Sequence, residues 1–398
     1  MQSAEGTART TVAPHRPVSS LHTGFVLTGM ITTLLGPILP SLSARWRIDD
    51  PRAGLLFTAQ FSASVVGVLL SSVLLTRLSY RACLVLGFAC MGLGVGALML
   101  GSWVLGMIAT AGYGLGLGLT IPATNLLVAE ANPRRSAAAL SLLNLAWGLG
   151  AVLFPLLAAE FQRIDHLLLL LLGLGAAALL LALWFAATVG TGAGWVAVER
   201  PRGERPRLAF VDWQALVILG LLFFLYVGTE NGVGGWVASY TRRLGAGPAT
   251  NWALVPSFFW GALLLGRAMA PIVLREKNEM HLARTGLLAA ALGALIVLRS
   301  IHFAGVIAGS SLAGLGLSAV FPITIARLSG RFGRAASRFV GPMFALGGLG
   351  GATLPWLIGV ASHRLGGLRE GLWIPVLSAL AMFALYFSRS LTRLPTEE

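Results

Sequence analysis

Acidic side chains are scarce in this chain: Asp and Glu number 15 in 398 residues, against 29 Lys and Arg. Charged residues of both signs make up 11% and hydrophobic ones 56%, whereas soluble domains carry about 25% charged residues. That balance excludes a water-soluble fold and leaves a polytopic membrane protein. Cysteine is nearly absent, with Cys83 and Cys90 alone. On one helix that spacing amounts to about 10 Å of rise, too far for a bridge, so no disulfide is expected. The six histidines fall in the N-terminal tail, in loops or at the edges of apolar segments, and no His/Cys/carboxylate group has metal-ligand spacing. No embedded Ser, His and acid set points to a hydrolase. The chain also lacks a Gly-x-x-x-x-Gly-Lys-Ser/Thr phosphate loop. An enzyme and a directly ATP-driven machine are thereby excluded, and no cofactor or metal is expected. Any uphill work must draw on an ion gradient.

Apolar length is what the chain does have. A membrane-crossing helix needs about 20 mostly apolar residues. Twelve segments qualify, roughly 21–44, 53–75, 82–101, 103–129, 137–159, 167–189, 213–240, 251–274, 282–299, 303–326, 337–361 and 371–388. They divide into two six-helix halves, 21–189 and 213–388, flanked by tails at 1–20 and 389–398. The linker at 190–212 is basic and broken by Pro201 and Pro206, and is too short for a domain. The fold class expected is an all-α membrane protein of twelve transmembrane helices in two pseudo-symmetric halves.

The formal charge of +14 invites a nucleic-acid reading, but its placement favours a lipid partner. Nineteen Lys/Arg fall in loops and tails on the side of the N-terminus, nine on the other, and Arg267 lies within a span. This asymmetry places both termini in the cytoplasm and the basic loops against anionic headgroups. The polar residues 1–20 precede an apolar stretch long enough to span, so no cleaved signal peptide is expected.

Two phrases recur 200 residues apart. Gly114-Leu115-Gly116-Leu117 with Pro122 returns as Gly314-Leu315-Gly316-Leu317 with Pro322. Gly148-Leu149-Gly150 with Pro155 returns as Gly348-Leu349-Gly350 with Pro355. Two matches at one offset mark a duplicated membrane unit, the architecture of secondary transporters, and direct attention to the seam between the halves. Lying inside apolar spans, the glycines read as close-packing positions rather than phosphate loops. Pro122 and Pro322 are expected to kink spans 4 and 10, where a bend would help close a cavity.

Twelve helices in two halves with a central basic linker resemble the major facilitator superfamily over the whole chain. That superfamily carries a loop between helices 2 and 3 reading roughly Gly-x-x-x-Asp-Arg-x-Gly-Arg-Arg/Lys. Here the stretch Ser72 to Arg81 keeps only Arg77 and Arg81 of it, so its gating charge network is degenerate. In span 7, Tyr226-Val227-Gly228-Thr229-Glu230 followed by Trp236 resembles the fucose–galactose–glucose symporter family and its sodium-dependent glucose transporter relatives. Phe259-Trp260 with Gly266-Arg267 in span 8 is similar to those relatives as well. Fucose permeases of that family carry buried acids in helices 1 and 4, which this chain lacks. The resemblance implies a carrier for a small polar solute, a monosaccharide first of all.

Among the acids, Glu230 alone falls deep inside a span. An ionised carboxylate there must face a cavity, meet a cation or take up a proton. It is the expected coupling residue, and its alternative is a structural carboxylate capping a helix broken at Gly232, Gly234 and Gly235. Tyr226 lies one turn away on the same face. Sugar sites combine carboxylate and amide groups with aromatic faces, and Glu230, Asn231, Trp236 and Trp260 supply those types. Gln60, Asn144 and Trp147 are the cavity candidates of the first half, Asn144 and Trp147 sharing one face. Asn125 and Arg267 read as gating or structural residues, Arg267 with direct pairing to Glu230 left open.

The leading expectation is alternating-access transport of a monosaccharide coupled to H⁺ or Na⁺, with function as a monomer. Sodium would require several hard oxygen ligands, which only Glu230, Asn231 and carbonyls freed by the span-7 glycines offer. The alternative is a proton-coupled exporter of drugs or apolar metabolites, against which Gly150 and Pro155 stand too far apart for the exporters' Gly-Pro pair. A transport-inactive sensor or scaffold is the reading from another class, and linker and tails are small for it.

Overall fold

The computed structural model describes residues 18–189, 212–245, 251–273 and 278–392. The linker before Asp212 and the outer parts of both tails therefore lie outside the described residues. Among those described, every regular element is a helix. In the first half these are α1 (Val18–Thr32), α2 (Leu35–Trp46), α3 (Asp50–Arg77), α4 (Tyr80–Ala97), α5 (Trp103–Ala131), α6 (Ser136–Arg163) and α7 (Leu167–Thr188). In the second they are α8 (Trp213–Leu244), α9 (Val255–Val273), α10 (Glu279–Arg299), α11 (Phe303–Leu317), α12 (Val320–Phe332), α13 (Ala336–Leu365), α14 (Leu368–Gly371), α15 (Trp373–Leu385) and α16 (Arg389–Thr392). Eleven spans are long and apolar enough to cross a bilayer, and α1 with α2, bent by 45°, forms a twelfth. The face on which α1 begins is called proximal below, and the opposite one distal.

Local chemistry sets the helix ends. Asp49 caps α3 through the Arg52 N–H, Ser79 caps α4 through Ala82, and Asn278 caps α10 through Met280. The long α8 closes on Gly245, whose φ of 60° suits glycine's freedom in the left-handed region. Asp212 caps its start from the Ala215 N–H at 2.9 Å and is ion-paired to Arg331 of α12. The Ala215 N–H first, then the Arg331 guanidinium, hold the Asp212 carboxyl below the usual carboxylate range despite partial desolvation. A depressed folded-state value means stabilisation above the ordinary aspartate range, lost as pH falls through the folded value. Asp212→Ala should therefore lower unfolding stability by about 1 kcal/mol at neutral pH. In thermal unfolding across pH, the gap to the wild type should be flat near neutrality and close in strong acid.

The duplication read from sequence is a duplication of packing. Gly114 presses on the backbone of Gln60 in α3, and Gly314 on that of Phe259 in α9. Gly116 meets Gly87 of α4, and Gly316 meets Gly286 of α10. Gly150 lies on Val26 of α1, and Gly350 on Phe224 of α8. Each pair occupies matching helices of the two halves, so small residues bring the same backbones together twice. In both copies of the second phrase the first glycine reaches across the seam instead: Gly148 touches Leu264 of α9, and Gly348 touches Val65 of α3.

Spans 1 and 7 differ from the sequence reading. The glycines after Glu230 do not break span 7, because α8 runs unbroken from Trp213 to Leu244; its flank is packed by Trp260, Phe57 and Ile358. Glu230 is therefore no cap of a broken helix, and no carbonyl is freed there. The break lies in span 1, between Thr32 and Leu35, where Pro37 has no N–H to return to the Thr33 carbonyl. A second break separates α11 from α12, with Pro322 in the first turn of α12, while α5 runs through Pro122 as one helix.

The halves meet on the distal side. Among the described residues, the cross-half hydrogen bonds are Thr58 to the Ala352 carbonyl, Ser257 to Val152, Arg242 to Pro40, Arg243 to Asp50 and Ser362 to Asp50. All lie at mid-height or nearer the distal face. The proximal ion pairs, Arg331–Asp212 and Arg327–Glu279, stay within the second half. The proximal part of the seam is thus unlatched.

Candidate functional site

Glu230 sits at the centre of α8, the most buried span, with 72% of its apolar window inside the protein. The 3.6-residue period puts Tyr226 one turn below it, and the phenol donates to Glu230 Oε1 at 3.2 Å. From α9, Arg267 Nη2 donates to the same Oε1 at 3.0 Å and to the Tyr226 oxygen at 2.9 Å. Arg267 therefore pairs directly with Glu230. Both bonds end on Oε1, leaving Oε2 as an acceptor. The break in span 10 brings Phe321 against Tyr226, ring centroids 5.3 Å apart, which walls one side of this triad.

Directly after Glu230 and one turn further along α8, Asn231 and Gly234 face the broken span 1. Between them lies a small void lined also by Thr32, Thr33, Gly36 and Trp260. The broken segment is tied into its own half by polar bonds. Gln60 Nε2 donates to the Thr32 carbonyl at 2.9 Å, while Gln60 Oε1 accepts from Tyr113 at 3.1 Å. Trp147 Nε1 donates to Thr32 Oγ1 at 3.4 Å. Trp147 also meets Trp260 edge-on across the seam, centroids 5.9 Å apart. Two indoles, one from each half, thus flank the mid-height position where α1, α6, α8 and α9 converge.

The structure gathers Tyr226, Glu230, Asn231, Trp260, Trp147 and Gln60 about this junction, with Gln60 held on the wall by its own bonds. Asn144 lies one turn proximal of Trp147, is exposed, and returns its amide to Leu140. Trp236 is apart from the void: buried, it donates Nε1 to the Pro355 carbonyl at 2.8 Å and packs on Phe57. Asn125 bonds its own helix at Ile121. Arg77 is exposed at the end of α3 and Arg81 half-buried at the start of α4. Among the described residues, neither enters an ion pair.

Two groups escaped the sequence. Thr32 and Thr33 gain their importance from the break, whose signal was Gly36-Pro37 in mid-span. Asp50, at the start of α3, is the hub of the distal closure. It takes the Arg243 guanidinium from α8 and the Ser362 hydroxyl from α13, and Gly359 abuts its backbone. Nothing local announces such a contact between residues 193 and 312 positions apart. Arg243→Ala should loosen this latch, and a membrane-impermeant thiol reagent should then reach a cysteine at Thr58 from the distal face. An unchanged labelling rate would show that the latch does not hold the seam.

The sequence model of the Major Facilitator Superfamily matches residues 21–341. The chain belongs to that superfamily. It is accordingly an integral membrane transporter of a small molecule, and not an enzyme. Relatives of the superfamily are distant. Sodium-dependent glucose transporter 1A of Mus musculus is 24% identical over 286 residues, covering 63% of this chain and 67% of the relative. The crystal structure of a D-xylose–proton symporter superposes with a TM-score of 0.77 at 17% identity, covering 93% of this chain and 96% of its own. A bacterial homologue of the human lysosomal transporter Spinster, inward-facing and unoccupied, gives a TM-score of 0.74 at 15% identity, covering 93% and 95%. Similarities at this level carry the superfamily fold; the substrate has to be argued from the junction itself.

Proposed function

We infer that this protein carries a monosaccharide across the membrane by alternating access, coupled to a proton gradient. The observation that carries the reading is the junction. At mid-height Asn231 and Trp260 line a small gap, the Glu230 carboxylate with a spare oxygen is the residue before Asn231, and Trp147 of the opposite half packs edge-on against Trp260. Those groups match a sugar, whose hydroxyl pairs take carboxylate and amide hydrogen bonds while its C–H face packs on aromatic rings. The described relatives include a xylose symporter and a glucose transporter, which supports the same class of substrate. With the termini in the cytoplasm, as the basic loops imply, the latched distal face is extracytoplasmic and the state is inward-facing.

Proton coupling follows from what surrounds Glu230. Sodium beside this carboxylate would meet the Arg267 guanidinium at close range and find few oxygens, since α8 keeps its carbonyls in the helix. A proton needs only the carboxylate. Protonation of Glu230 removes its charge attraction for Arg267, and re-ionisation restores it. Each turn of the cycle can thus exchange a proton for a rearrangement between α8 and α9.

Binding tests the substrate class before any coupling enters. Purified protein titrated with glucose, galactose and fucose should show saturable quenching of tryptophan fluorescence, most of it lost in Trp260→Phe. Apolar drugs should compete weakly. Saturable binding of the drugs with none of the sugars would replace this reading with the exporter.

A further inference from the structure

The void at the span-1 break encloses about 10 Å³, room for a single water-sized group. Its walls are complementary in their hydrogen bonding. Trp260 is buried, 4% exposed, and its Nε1–H has no acceptor. The Nε1 edge of that indole faces Gly234, which lines the same void. Also lining the void, Asn231 donates Nδ2 to the Val227 carbonyl at 2.9 Å, so its Oδ1 is the acceptor left over. The Thr33 carbonyl is a second acceptor, because the residue that would return a helical N–H to it is Pro37.

A buried donor with an acceptor in reach around a one-atom space can satisfy a hydroxyl, which receives the indole N–H on its oxygen and gives its single hydrogen to one acceptor. A bare cation takes oxygens only and would be opposed by the indole N–H. We propose that this void is the docking point for one hydroxyl of the carried sugar. Trp260 donates to the hydroxyl oxygen, and Asn231 Oδ1 or the Thr33 carbonyl accepts its hydrogen. The inference rests on the sugar reading of the same junction and adds to it a specificity determinant. It also gives the hydroxyl a mechanical role, because the walls of the void belong to both halves. Seated there, it joins the broken span 1 to α8 and α9, next to the contact of Gly36 with Gly234 that closes the distal seam.

The test pairs changes in the sugar with changes in the wall. Single-deoxy analogues of the best-bound sugar compete against labelled parent in gradient-free exchange through proteoliposomes. They are run on wild type, Trp260→Phe and Asn231→Ala. In the wild type, one deoxy position should lose on the order of tenfold in apparent affinity, because its absence leaves buried polar groups unpaired. At that same position the loss should shrink to about threefold or less in both variants, whose walls no longer lose a partner. Two variants on different helices, α9 and α8, converging on one hydroxyl is the expected signature, and either alone decides if the other does not fold. An unchanged deoxy penalty in both variants would overturn the inference while leaving the sugar reading intact. So would a parent sugar carried with no position penalised, since the void then holds only water. Sodium-induced thermal stabilisation that vanishes in the variants would reassign the void to a cation. Absence of exchange for every sugar would remove the sugar reading and this inference together.

Discussion

Glu230→Gln should abolish uphill accumulation while leaving downhill exchange in place. In the wild type, one-to-one symport against one pH unit sustains about tenfold accumulation; the variant should stay near equal concentrations on both sides. The amide keeps the shape of the carboxylate and still accepts from Tyr226, but it can neither take up nor release a proton. It also strips Arg267 of its partner inside the protein, and breaking a buried pair costs about 3–5 kcal/mol. The single variant is therefore expected to be less stable as well as uncoupled. Glu230→Gln with Arg267→Met removes both charges and should recover most of the lost stability, as paired replacement by neutral groups commonly does, without recovering accumulation. Thermal unfolding and uptake measured on the same preparations separate the two effects. Gradient-driven accumulation surviving in Glu230→Gln would place the coupling group elsewhere.

Gly36→Leu should trap the carrier with its distal side open. A side chain at Gly36 would run into the Gly234 carbonyl, and its Cβ would stand 3.3 Å from Gly235 Cα. Both neighbours are backbone within an unbroken helix, so neither can yield cheaply. Overpacking of this kind costs about 2 kcal/mol or more, which shifts the balance of states at least roughly thirtyfold. The open state, unlike the closed one, has no quarrel with the larger residue. Asn144, exposed on the unlatched proximal side, gives the readout. In a background without Cys83 and Cys90, Asn144→Cys should be labelled readily from the proximal face. Adding Gly36→Leu should protect it and reduce turnover in parallel. Equal labelling with and without the leucine would mean that this glycine contact does not govern closure.

What was legible in the sequence was whatever repeats or stands out against an apolar background. Spans are long runs, so their number and division came through. The glycine phrases recur because matching helices approach equally closely in both halves. Glu230 and Arg267 were conspicuous as charges within spans, although only coordinates reveal that they touch. Residues whose role depends on distant partners were not legible. Asp50 looks like any acid opening a helix until α8 and α13 deliver Arg243 and Ser362 to it. Trp236, grouped with the sugar-facing aromatics, turns instead toward α13 and gives its indole to Pro355. The alternative of a helix broken beside Glu230, which the clustered glycines suggest, does not hold, because three neighbours fill that flank. The break occurs at Thr33-Leu34, one turn before Pro37, which removes the N–H that would return to the Thr33 carbonyl.

The central claim is proton-coupled movement of a monosaccharide through the α1–α8–α9 junction. Its most direct test is uptake of labelled glucose, galactose and fucose into proteoliposomes holding the wild-type protein, under an imposed proton gradient, a sodium gradient, or none. The account predicts saturable accumulation of at least one sugar above equilibrium with the proton gradient alone, collapsing when an ionophore dissipates it. Accumulation driven only by sodium, or no saturable uptake of any sugar by folded protein, would contradict it.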